Sequence, residues 1–163
     1  MEHYFIMDFD KKAEELGLRL GPPAKPVASY LPWSIVEIEE RCRLLFVSGQ
    51  LPMENGVLKY VGKLGKDLDV ETGKASARLC ATNVISIVRA AAGSLNAVQK
   101  IIRLEGFVNS SDGFAEQAQV MNGASDLFVD VFGEAGKHAR FAVGVNSLPL
   151  NAATEVAALI LLK

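Results

Sequence analysis

The stretch His138-Ala139-Arg140-Phe141-Ala142-Val143-Gly144-Val145, then a turn at Asn146 to Asn151 containing Pro149, then Thr154 to Leu162, reads as two extended segments around a corner. Side chains alternate across a strand, so Arg140, Ala142 and Gly144 share one side while Phe141, Val143 and Val145 share the other. The apolar trio is expected to face the core. With the turn centred near Leu148 and Pro149, the two segments form a hairpin in which Ala142 lies opposite Glu155. Arg140 and Glu155 then occupy one face, on a diagonal that long side chains bridge. A cation and an acid would flank a floor of small residues, Ala142 and Gly144. That floor admits a small ligand whose carboxylate meets the guanidinium fork, a donor set better matched to planar anions than a lysine. The competing reading is an ordinary cross-strand ion pair, solvated and of little energetic weight, and spacing alone favours it.

Moving outward, Asp112, as an N-cap, opens a helix through Phe132 whose inward set is Phe114, Val120, Ala124, Leu127, Phe128 and Val131, with Gly133 and Gly136 closing it. Ile101 to Asn109 alternates as a half-buried strand, Ile102, Leu104, Gly106 and Val108 on one face and Arg103 and Glu105 on the other. Val70 to Ala92 has a wide apolar stripe at helical spacing and stops at Gly93; Ser94 to Val98 is a connecting turn. Further back, Asn55-Gly56 marks a small hairpin within Met53 to Lys59. Trp33 to Glu39 and Arg43 to Val47 read as strands around the corner Glu39-Glu40-Arg41, Val27 to Tyr30 as a brief extended piece, and Asp8 to Leu16 as a short lead-in helix ended by Gly17. The order of elements predicts one α+β domain over 1–163, a mixed sheet with two long helices on one face and a helical N-terminal extension over 1–21.

The 163 residues, half of them hydrophobic, suffice for one core. A formal charge of -2 removes the broad basic footprint of sequence-independent nucleic-acid binding. Cys42 and Cys80 lie in separate elements and are expected to be reduced and buried. No stretch has the length of a membrane span, the apolar run Ala157 to Leu162 being far too short, and a cytoplasmic protein is expected.

The motifs Phe46-Val47-Ser48-Gly49-Gln50-Leu51-Pro52, Ala139-Arg140, Leu148-Pro149 and Glu155, in this order around a strand-helix-strand middle, resemble those of the YjgF-type reactive-intermediate deaminases (Rid proteins), often labelled endoribonuclease L-PSP. The likeness covers nearly the whole chain. It implies a chorismate-mutase-like fold, a homotrimer and clefts shared between neighbouring chains. It further implies that Arg140 binds the substrate carboxylate, that Glu155 positions the hydrolytic water, and that Tyr30 and backbone groups near Gly49 and Ala142 line the cleft. The implied activity is hydrolytic deamination of 2-imino or enamine acids. Because such substrates already carry an electrophilic carbon, orienting water beside an acid-base group suffices, and no metal or other cofactor is called for. Two alternatives come from other classes: a non-catalytic sensor of small carboxylates, and the ribonuclease of the older label. This chain departs from better-known members in having Ala142 where many have cysteine, in a longer 33–42 segment and in a longer N-terminal extension.

Other residues carry less. His138 is read as a surface residue at a strand start and His3 as part of a disordered tail. Ser48 lacks a G-x-S-x-G setting and any assignable partner, which leaves it a structural role. Gly21, Gly62 and Gly65 form no phosphate loop, and Asp67 with Asp69 is too sparse for a metal site. Asn122 reads as an exposed helix position; Trp33 either lines a pocket or fills an interface.

Overall fold

The computed structural model describes residues 7–23 and 29–163. The expectations for His3 and for extended chain at Val27 and Ala28 lie outside the described residues. Helix α1 (Phe9–Glu15) begins at Asp8, whose carboxylate accepts from the Lys11 N–H, and ends at Gly17, held at φ 69°. Strands β1 (Trp33–Glu39) and β2 (Cys42–Gln50) meet at Arg41. The small hairpin β3 (Met53–Glu54) and β4 (Val57–Leu58) turns on Asn55 and Gly56 at φ 52° and 78°, the left-handed pair that such two-residue turns require. Helix α2 (Val70–Ala92) is capped by Asp69, which accepts from the Thr72 N–H, and closed by Gly93 in the left-handed region. A short 3₁₀ turn leads to β5 (Val98–Asn109), then come α3 (Gln117–Phe132), β6 (Ala139–Val145) and β7 (Thr154–Leu162).

The five long strands form one mixed sheet in the order β1-β2-β7-β5-β6, all neighbours antiparallel except β5 and β6. Leu45, Val47, Leu104, Val156, Ala158, Ile160 and Leu162 point to one face and are buried under α2 and α3 together with Val84, Ile87, Leu127 and Phe128. Each of the larger of these side chains, Ala158 aside, contributes about 1.5–3 kcal/mol. Helix α1 joins this core through Phe9, whose ring meets Phe132 edge-on at 5.2 Å. Asp10 accepts from Ser94 Oγ and the Leu95 N–H, fastening α1 to the turn before β5.

The C-terminal hairpin does not exist. β6 and β7 flank β5, which pairs with both: Gly106 faces Ala142 on one side and Val156 on the other, so Ala142 is not opposite Glu155. The 146–153 connection steps over the end of β5 instead of turning tightly. Asn109, at that end, holds it there: its Nδ2 donates to Asn151 Oδ1 and the Ala152 carbonyl, and its N–H donates to the Ala153 carbonyl. Leu150 and Asn151, at φ 57° and 58°, complete the step in left-handed conformations that cost roughly 1–2 kcal/mol apiece.

The facing of β6 is likewise reversed. Phe141 and Val143 lie on the helix-free face, 37% and 43% exposed, while Ala142 packs against the core. β5 starts at Val98, three residues before the expected strand, and its register shifts between Ile101 and Arg103, which buries Ile101 instead of Ile102. α3 begins at Gln117, so Asp112 is not its cap. Both cysteines are free, but Cys42 is only half-buried.

Candidate functional site

Arg140 stands on β6 in register with Leu104 and, through it, Ala158, both buried under the helices. Its side chain therefore runs beneath α3. Nη1 donates to Ser125 Oγ at 2.9 Å and Nη2 to the Ala118 carbonyl at 2.8 Å. A guanidinium has five N–H donors, so three are left for a ligand. Among the described residues no carboxylate lies within ion-pair distance of it. Gly106, next to Ala142, allows α3 to come close: a Cβ there would lie 2.5 Å from Met121 Sδ.

Glu155 is on the opposite side. It is in register with Phe107, which faces Val143, and all three project from the helix-free face. Its carboxyl lies over a bulge where the β2 register skips from Val47 to Gln50. Gly49 occupies that bulge, and a Cβ on it would sit 2.0 Å from Glu155 Oε1. Only the missing side chain leaves the carboxyl its place. Burial raises the Glu155 pKa above the ordinary glutamate value. No ion-pair partner is found for it among the described residues either.

Tyr30 is 46% exposed in a bend before β1. Its segment is fastened to the Gly49 bulge, since Ser48 Oγ donates to the Leu31 carbonyl at 2.7 Å and the Ser48 N–H to the Pro32 carbonyl. Ser48 thus has the structural role expected of it. The five candidate residues therefore form two groups: Tyr30, Gly49 and Glu155 around β2 and β7, and Arg140 with Ala142 on the outer strand β6. A single chain does not bring Arg140 and Glu155 into one recess. They are separated by β5, roughly 10 Å from strand to strand, and by the thickness of the sheet.

Sequence reasoning missed the seat of Arg140. Ser125 carries no motif, and His138 is half-buried beneath α3, not a surface residue, with its Nε2 2.9 Å from Ser125 Oγ. Asp67 and Asp69 serve backbone N–H groups, at Lys63 and Thr72. Cys80 is sealed against Thr154, and burial pushes its thiol up to about 12, which leaves it unreactive. A cavity of about 720 Å³ lies between residues 17–23, the β3–β4 hairpin and α2, away from Arg140 and Glu155. No helix among the described residues is long and apolar enough to cross a membrane.

Residues 12–161 match a family model described as "YjgF/chorismate_mutase-like, putative endoribonuclease". Protein TCP17 of Trypanosoma cruzi is 45% identical over 148 residues, 90% of this chain and 89% of that protein. The crystal structure of Atu1372 from Agrobacterium tumefaciens, a protein described as of unknown function, is 42% identical with a TM-score of 0.86, covering 95% of this chain and 92% of that one. A "putative endoribonuclease" from Shewanella oneidensis is 35% identical with a TM-score of 0.88, covering 94% and 98%.

Proposed function

The chain belongs to the YjgF/chorismate mutase-like family, and on that premise we propose that it hydrolyses small 2-imino or enamine acids to the carbonyl compound and ammonia, in the cytosol, at clefts closed between copies of itself in a homotrimer. The observation that carries this reading is a pair of half-buried, oppositely charged groups, Arg140 and Glu155, each without an ion-pair partner among the described residues. Two such groups on opposite faces of one sheet are compatible with a site composed from two protomers. Arg140 on the outer strand of one copy meets the carboxylate of the substrate with its free N–H donors. Glu155 and the Gly49 bulge of the next copy bring the water, and Tyr30 covers it.

The step balances without a further reactant. Water adds its oxygen to the imine carbon while Glu155 takes its proton. The same carboxyl returns that proton to nitrogen, which completes the carbinolamine; it then takes the carbinolamine hydroxyl proton and passes it to the amino nitrogen, so that the C–N bond breaks and ammonia leaves as the carbonyl forms. A carboxyl whose pKa is raised toward neutrality serves both directions of this transfer better than an ordinary one. The older reading, an endoribonuclease, is the label in the family description and in that of the Shewanella protein. A net charge of -2 and the apolar character of the open face argue against a polyanion. A carboxylate sensor using the same groups would bind without turnover.

The test is subunit mixing. With 2-imino acids generated in situ by an amino-acid oxidase and keto-acid release followed, Arg140→Ala and Glu155→Gln should each be inactive alone. Randomly mixed trimers of the two should regain about one quarter of parent activity, because one interface in four pairs an intact arginine with an intact glutamate. No recovery in verified mixed trimers would place both groups in one chain and end the shared-cleft reading. No acceleration by the parent over buffer would leave the sensor.

A further inference from the structure

Arg140 is not held by its charge. Both of its protein contacts are to neutral oxygens of α3, the Ala118 carbonyl and Ser125 Oγ. Ser125 in turn lies 2.9 Å from His138 Nε2, and His138 Nδ1 lies 2.5 Å from the Gly136 carbonyl. A carbonyl only accepts, so the imidazole carries its proton on Nδ1 and leaves Nε2 bare. Nε2 then accepts the Ser125 hydroxyl proton, which turns the serine lone pairs toward Arg140. The direction of the whole row is forced: Arg140 donates to Ser125, Ser125 to His138, His138 to Gly136. The ring is wedged in place, its edge against Phe128 with centroids 6.1 Å apart. Burial lowers its pKa, which keeps it neutral at pH 7 and the row intact.

From this geometry we infer that Ser125 and His138 are positioning residues that hold the Arg140 guanidinium in its anion-binding pose, with its three remaining donors turned to the ligand. The inference rests on Arg140 being the carboxylate anchor. The alternative to such a row would be a carboxylate partner, and that would compete with the substrate anion for the same fork. A neutral seat fixes the guanidinium and leaves its charge for the ligand. The two residues act through Arg140 and touch no substrate, so their loss should weaken anion binding and spare the chemical step.

The probe is pyruvate, the keto acid released from 2-iminopropanoate, titrated into the full-length protein and followed by NMR. Arg140→Ala should weaken binding at least tenfold. Ser125→Ala should weaken it about tenfold, the loss expected for one hydrogen bond to a charged group. Ser125→Thr, which keeps the hydroxyl, should return to within about twofold of the parent, and His138→Phe, which keeps the ring but removes the acceptor, should lose about threefold. In turnover assays the Ser125→Ala change should appear in KM, with kcat within about twofold. Thermal melts of all variants report folding separately. Ser125→Ala binding pyruvate as the parent does, while Arg140→Ala fails, overturns the positioning role and leaves the anchor standing. Arg140→Ala binding like the parent overturns both. Equal losses in Ser125→Ala and Ser125→Thr, with unchanged melts, also overturn it, because the hydroxyl would then be irrelevant.

Discussion

Glu155 costs the fold something where it stands, and the sign is fixed by its raised pKa. As pH rises, the unfolded chain gives up this proton first, so the folded state holds more protons over the interval between the two values and stability falls across it. Replacing Glu155 with Gln removes the cost. The variant should melt a few degrees above the parent at about pH 7, with the gap closing toward about pH 4, where both states of the parent are largely protonated. Equal gaps at both ends in a calorimetric pH series would contradict the burial account. At this scale the sequence offers candidates by motif position, Arg140, Glu155, Gly49 and Ala142. The side of the sheet on which each lies was not legible. Alternation tells which residues share a face, but Phe141 and Val143 are as apolar as any core pair, and nothing in the spacing says that Arg140, by virtue of its long aliphatic stem, is the residue beneath α3. Ser125 and His138 were invisible for a simpler reason, since their value lies in a contact made only after α3 is laid on β6.

Elements were read better than their partners. α2 and β7 appear with the expected ends because a helical apolar stripe stopped by a glycine and a short uninterrupted apolar run are local signals. The hairpin failed because a short connection between two strands usually means pairing, and here β5, twelve residues long, offers a ladder to each of them. The contact between α2 and α3 was also beyond local reading. Gly123 lets the helices touch: a Cβ there would lie 2.0 Å from the Lys74 carbonyl oxygen. Helix propensity alone would make Gly123→Ala stabilising by about 0.5–1 kcal/mol. Backbone cannot step aside as a side chain can, so the variant should instead lose about 1–3 kcal/mol, measured by urea denaturation. A gain would show that the two helices ride further apart in solution.

At the scale of the molecule, one face of the sheet is covered and the other is not. Val36, Phe46, Phe141 and Val143 are 48%, 44%, 37% and 43% exposed on the helix-free side, a patch that fits the assembly proposed above. Phe46→Glu should convert the assembly to monomers in sedimentation velocity while the circular dichroism of the fold persists; a variant that keeps its parent's mass would remove this face from the interface. The placement of β7 between β2 and β5 has a consequence of its own. A ribosome delivers β1 and β2 first, then β5 and β6, and only afterwards the strand that fastens the two halves together. Closure of the sheet therefore waits for the last strand synthesised, whose pairing with β2 spans more than a hundred residues of sequence, the kind of long-range contact that makes folding slow.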